Sequence, residues 1–207
     1  MNVKIRHALA FLAVVALGAA AIEQPAGAQK PAGGVPTFQV DPSWPKFEGN
    51  WIFGSIGGVF VDPTNDHVWV LNRPRTLEPD ENYAAQTPPA ADCCVPPPFV
   101  MEFDQNGKFL AEWRQFGRPS GITITRDDTI YVTDSESGPD TGAHELPGIK
   151  KGIRIGSAKD GTVTAFIEDM ESTTPDHSGA EGVGVDAAGN VYGGVVRRQM
   201  LERHMKK

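Results

Sequence analysis

The best-placed anion donors in this sequence are two arginines flanking a proline, Asn72-Arg73-Pro74-Arg75. A guanidinium presents paired N–H groups that match a carboxylate or phosphate, and the proline stiffens the turn that carries them. The same arginines could instead staple their own loop by pairing with Glu78, Asp80 or Glu81. A second group, Asp134-Ser135-Glu136 with Asp140, offers converging carboxylates for a Ca2+ ion or a general base. Its spacing matches no EF-hand loop, so an ordinary acidic turn is the competing reading. The only cysteines, Cys93 and Cys94, are adjacent. They can close a vicinal disulfide before Val95-Pro96-Pro97-Pro98, remain thiols, bind a soft metal or pair between chains. Two thiolates without a CxxC spacing do not complete a zinc shell. Of the histidines beyond the N-terminal segment, His67 falls in a tight turn and is expected to be solvated, whereas His144 lies in a long loop and joins the candidate site. No Ser-His-Asp signature, phosphate loop or dinucleotide glycine motif is present.

These residues are carried by a repeated unit. Three times a glycine opens an alternating apolar strand that leads through a polar turn into an apolar or aromatic strand. The copies are Gly58 to Asp62 with His67 to Val70, Gly121 to Thr125 with Thr129 to Val132, and Gly182 to Asp186 with Asn190 to Tyr192. Alternation of period two between Gly, Asn and Asp clusters is the signature of a strand hairpin. Further hairpins follow the first two copies, turning at Asn106-Gly107 and Asp160-Gly161, dipeptides that tolerate positive φ. Two successive hairpins make a four-stranded antiparallel meander, the blade of a β-propeller. The expected fold is therefore all-β, with three blade copies over 58–113, 121–167 and 182–207. Val195 and Val196, the residues from Arg197 to Lys207, and Phe38-Gln39-Val40 are candidates for the third blade's missing strands.

In such a meander the first-to-second and third-to-fourth turns share one face. The second-to-third loops and blade-to-blade connections share the other. All the short turns fall on the first face, and the long segments 71–98, 133–151 and 168–181 fall on the second. Loops beyond about 12 residues in a compact fold usually carry function or are disordered, so a site is expected on the long-loop face. Trp69, Tyr131 and Tyr192 occupy equivalent positions in the three copies, which predicts blade-to-blade packing and not a ligand cage.

The N-terminus reads as a secretory signal. Lys4 and Arg6 precede an uncharged apolar run over 8–21, and Ala26-Gly27-Ala28 gives a small-x-small cleavage site, placing the signal peptide at 1–28. A retained anchor is the alternative, but the run is shorter than the ~20 residues of a spanning helix. Export to the periplasm or outside the cell is expected, with no membrane attachment after cleavage. Cleavage removes Lys4, Arg6 and Glu23, leaving 17 basic and 25 acidic side chains over 29–207. That balance disfavours nucleic acid and anionic membrane surfaces as partners.

The strings Phe38 to Pro45, Gly57-Gly58-Val59, Asn72 to Thr76, Cys93-Cys94-Val95-Pro96 and Gly152 to Ser157 resemble those of NHL-repeat six-bladed propellers, in particular a group of exported bacterial proteins. The resemblance runs in order along nearly all of the chain after the signal segment. It implies six blades where this chain holds three, with the joint expected near Trp113-Arg114, as though middle blades were lost in frame. More distantly, the chain is similar to propeller lactonases and amidating lyases. The former hold a divalent metal, and Glu181 stands where one such ligand would. The latter hold zinc through His-Gly motifs that are absent here, and their site is not carried over.

Three functions follow as expectations. The first is an exported module binding a small molecule, peptide or protein on the long-loop face, through Arg73, Arg75, Asp134, Glu136 and His144. The second is a metal-dependent hydrolase or lyase using Ca2+ or Zn2+ at Glu181, with an incomplete site. The third is a degenerate remnant. Three blades cannot close the usual ring, so two flanks should be bare unless a homodimer completes it.

Overall fold

The computed structural model describes residues 38–46, 49–137, 148–174 and 178–207. The signal segment, Asp140, His144 and His177 lie outside them. The chain divides at Val40, and the architecture is that of Asp41–Lys207. Among the described residues there is no α-helix, and no helix long and apolar enough to cross a membrane.

The chain is all-β, arranged as propeller blades. The first sheet comprises β1 (Ser55–Val61), β2 (Val68–Arg73), β3 (Val100–Phe103) and β4 (Phe109–Trp113). The second comprises β5 (Pro119–Ile124), β6 (Thr129–Asp134), β7 (Gly152–Ser157) and β8 (Val163–Glu168). The third comprises β9 (Ala180–Val185), β10 (Val191–Val195) and β11 (Met200–His204). Every pairing joins strands adjacent in sequence and is antiparallel, so each sheet is a meander. The turns use the predicted chemistry, with φ of 83° at Gly107 and 70° at Gly161.

The third sheet has three strands, not four. Phe38-Gln39-Val40 forms no strand. Just beyond it the chain turns at Asp41, whose carboxylate accepts from the Ser43 amide at 2.9 Å, and is then committed to the first sheet. There the Lys46 amide donates to the Gly107 carbonyl at 2.8 Å, and Trp44 packs against Phe103.

The sheets follow one another through their first strands, β1 beside β5 and β5 beside β9. The alternation read from the sequence sorts side chains onto the two faces of each sheet. Trp69, Leu71, Val100 and Trp113 leave the first sheet toward the second and meet Ile122, Ile124, Ile130 and Val132. Within that layer Trp69 and Trp113 stack with ring centroids 4.7 Å apart. Tyr131 and Ile153 leave the second sheet toward the third and meet Val191, Val195, Val183 and Val185. The packing role expected for the aromatic positions thus holds for Trp69 and Tyr131. On the far side of the first sheet Trp44, Trp51 and Phe53 cover Val70, Met101 and Phe103.

Glycine permits the sheets to approach. A Cβ on Gly58 would lie 2.7 Å from the Ser120 carbonyl oxygen, and one on Gly121 would overlap the Glu181 carbonyl. Real Cβ atoms do not come so close, so only glycine lets consecutive first strands lie backbone to backbone.

Candidate functional site

Charged side chains gather where the second strands leave their sheets. Arg73 ends β2, and the 3-10 turn Pro74–Thr76 that follows is pinned by Thr76, whose hydroxyl donates to the Arg73 carbonyl at 2.8 Å and accepts from the Ser55 amide at 2.7 Å. With its backbone held, the Arg73 guanidinium crosses to the second sheet. It donates through Nε to the Pro119 carbonyl at 3.1 Å, through Nη2 to the Ser120 hydroxyl, and through Nη1 to Glu136 at 3.2 Å. Glu78, Asp80 and Glu81, the loop partners considered from the sequence, are not the carboxylates it meets. Arg75 stands exposed on the turn.

Glu136 receives a second arginine. Arg118, in the connection between the first and second sheets, places Nη1 3.3 Å from the same carboxylate oxygen, Oε2. Asp134 lies at the end of β6 and is fully buried. It accepts from the Arg118 amide at 3.1 Å and the Ser137 amide at 3.3 Å, and its other oxygen takes Arg154 Nη1 at 3.0 Å. Asp134 therefore has a positioning role, fixing the backbone that presents Arg118 and Glu136. Burial lowers the pKa of both Arg118 and Arg154, opposed by Glu136 and Asp134 respectively. Guanidinium stays charged regardless. Among the described residues, three arginines thus meet two carboxylates.

Of the residues singled out in the sequence, the structure brings together Arg73, Asp134 and Glu136. Arg118 and Arg154 were missed, because nothing local marks a connection arginine or a strand arginine as converging on a distant loop.

The third long segment builds a separate network. Arg198 grips Asp169 with two bonds, 2.8 and 2.7 Å, and also reaches Glu171 at 3.2 Å and Glu202 at 2.9 Å. Burial pushes the Asp169 carboxyl up, but Arg198 and the Glu171 amide outweigh it and the net pKa is lowered. The Arg198 pKa rises, chiefly through the Asp169 bonds. Buried Lys151 donates to the Thr174 carbonyl at 2.6 Å, so this segment too is tied down at its base.

Cys93 and Cys94 are joined as a vicinal disulfide in the first long loop. On its way back to β3 that loop is held by Asn72 of β2, whose side-chain amide donates to the Pro97 and Pro98 carbonyls at 3.1 and 3.3 Å. His67 is not simply solvated: its Nδ1 lies 2.7 Å from Glu102 on the neighbouring β3. Glu181 is half-buried on β9, and its carbonyl accepts from the Thr133 hydroxyl at 3.2 Å. Among the described residues no group of three or more His, Cys, Asp or Glu stands together as metal ligands would.

No family model and no curated protein matches this chain. Among solved structures it is similar to a gluconolactonase from Xanthomonas campestris, with 17% identity over 75% of this chain and 48% of that one, at a TM-score of 0.41. The chain spans about half the length of that enzyme (48%). The assignment of blades rests on the strand order and packing described above.

Proposed function

We propose that this chain is an exported, NHL-type propeller module that binds a small acidic ligand, carrying a carboxylate or phosphate, on its long-loop face. The observation that carries the reading is the convergence of Arg73 and Arg118 on Glu136. Two guanidiniums, one at the end of β2 and one in the connection between the first and second sheets, share one partly exposed carboxylate, and a ligand's acid group can take its place using the same donors. Paired guanidinium–carboxylate bonds are about twice as strong as neutral ones. The basic, apolar and small-residue order of 1–28 supports export, and adjacent cysteines joined as a disulfide are at home in an oxidising compartment.

The test is calorimetric titration of the purified protein with inorganic phosphate, succinate and citrate, beside neutral amides of the organic acids. At least one acid should bind, its amide should not, and affinity should fall as salt screens the cluster. Heat from the amides equal to that from the acids would reject the reading. The hydrolase or lyase alternative lacks a gathered ligand set among the described residues.

A further inference from the structure

We propose that the chain pairs head to tail with a second copy of itself, the exposed β1 of one copy seating on the bare face of the third sheet of the other, forming a ring of six sheets about a two-fold axis. This inference is independent of the ligand reading. Its basis is that the chain already makes this interface twice, and the exposed β1 and the bare face of the third sheet are unmatched halves of it.

Positions correspond along the repeat. Val59 and Val61 of β1 match Ile122 and Ile124 of β5, and Val183 and Val185 of β9. Ile122 and Ile124 are 8% and 6% exposed because the first sheet covers them. Val59 and Val61 are 59% and 51% exposed, and Ile56 beside them is exposed too. At the other end the back of the third sheet repeats the pattern in reverse. Trp69 and Tyr131 are buried by the following sheet, but their counterpart Tyr192 is 39% exposed, and Leu201 is 87% exposed on the same face. Gly182, the counterpart of Gly58 and Gly121, has no described atom within 4 Å of its Cβ position, and neither do Gly184 and Gly194. Beside Gly194, residues Val196, Gln199 and Leu201 help to line a shallow depression of about 370 Å³.

One end therefore offers apolar knobs on a first strand, and the other a glycine-floored face of the kind that receives them. Gly58 receives the carbonyl of Ser120 and Gly121 that of Glu181. By the same register Gly182 would receive the carbonyl of Gly57 in a second copy. Trp44, Trp51 and Phe53 cover Val70, Met101 and Phe103 on the first sheet and leave β1 free, the strand through which consecutive sheets meet. Propellers close with about four to eight blades, and two copies of the three sheets formed by the described residues make six. A two-fold axis along the ring's centre makes the two junctions equivalent, so the assembly is closed and does not propagate.

Molar mass by light scattering and sedimentation, at tens of micromolar protein, should give twice the chain mass. Gly182→Leu has room within a single chain, so it should leave the circular dichroism spectrum unchanged while yielding a monomer. Val59→Asp should act in the same way from the opposite face. A head-to-tail joint further predicts that Val59→Cys combined with Gly194→Cys oxidises to a covalent dimer, while Val59→Cys alone does not. A folded wild-type monomer, an open-ended series of larger species, or a dimer that persists in Gly182→Leu would each overturn the proposal. Covalent dimer formation by Val59→Cys alone would overturn the head-to-tail arrangement.

Discussion

Arg73 and Glu136 meet across the seam between the first and second sheets, Nη1 to Oε2 at 3.2 Å, although 63 residues separate them. The contact joins the first two long loops at their bases. It makes the seam and the candidate site one structure. Arg73→Ala should therefore weaken folding as well as binding. The lost bonds to Glu136, Ser120 and the Pro119 carbonyl amount to about 1–3 kcal/mol, the lower part of that range applying if water reaches Glu136. Urea unfolding measures it. Arg73→Lys should recover little, since an ammonium cannot reproduce the fork that spans three acceptors; full recovery by lysine would mean that charge alone matters.

Glycine should be needed where a neighbouring backbone comes within contact of its Cβ position, and dispensable where the repeat carries a side chain in its other copies. Gly121→Ala puts a methyl onto the Glu181 carbonyl and should cost more than the ~0.5 kcal/mol of an ordinary surface change. Gly184→Ala should be nearly neutral, because its counterparts Phe60 and Thr123 carry side chains at the same place in the repeat. Equal denaturation midpoints for the two variants would contradict the packing described.

Acid should release the third long segment through Asp169. Its folded pKa is lowered, so the stabilisation is present above the ordinary aspartate value near 3.8 and is lost as pH falls through the folded value. Asp169→Asn should be less stable than the parent at neutral pH, and the difference should shrink on acidification. Unfolding midpoints measured from about pH 6 down to about pH 2 test the sign. A gap that widens with acid would refute it.

Trp69→Ala removes a buried ring stacked on Trp113 and should cost about 3–5 kcal/mol, as large aromatic truncations in cores do. Loss of the near-ultraviolet signal of the stacked pair should accompany it.

The elements were legible because their causes are local. Alternation in Gly58 to Val61, Gly121 to Ile124 and Gly182 to Val185 defines strands, and the Asn106-Gly107 and Asp160-Gly161 turns define hairpins. Equivalent placement of Trp69 and Tyr131 was enough to put both in the layers between sheets. Much less of the site could be read. The side Arg73 faces depends on sheet-to-sheet packing, and Arg118 and Arg154 become its neighbours only once that packing exists. The Arg198–Asp169 pair was invisible for the same reason. The third sheet's strand count depended on where Trp44 and Lys46 bind, a contact with the first sheet that strand periodicity does not encode. His67 misled because a tight turn suggests solvent, whereas Glu102 on the adjacent strand lies within reach.

The central claim is that Arg73 and Arg118 form an anion clamp now held by Glu136. It is tested most directly by measuring affinity for the strongest-binding small acid in Arg73→Ala and Glu136→Gln side by side. Removing a donor should weaken binding by roughly tenfold or more, the equivalent of one charge-assisted bond. Removing the resident charge should strengthen it, because the guanidiniums no longer have a competing carboxylate. Opposite signs in the two variants support the clamp. Equal weakening in both would show that Glu136 only braces the seam, and would contradict the account.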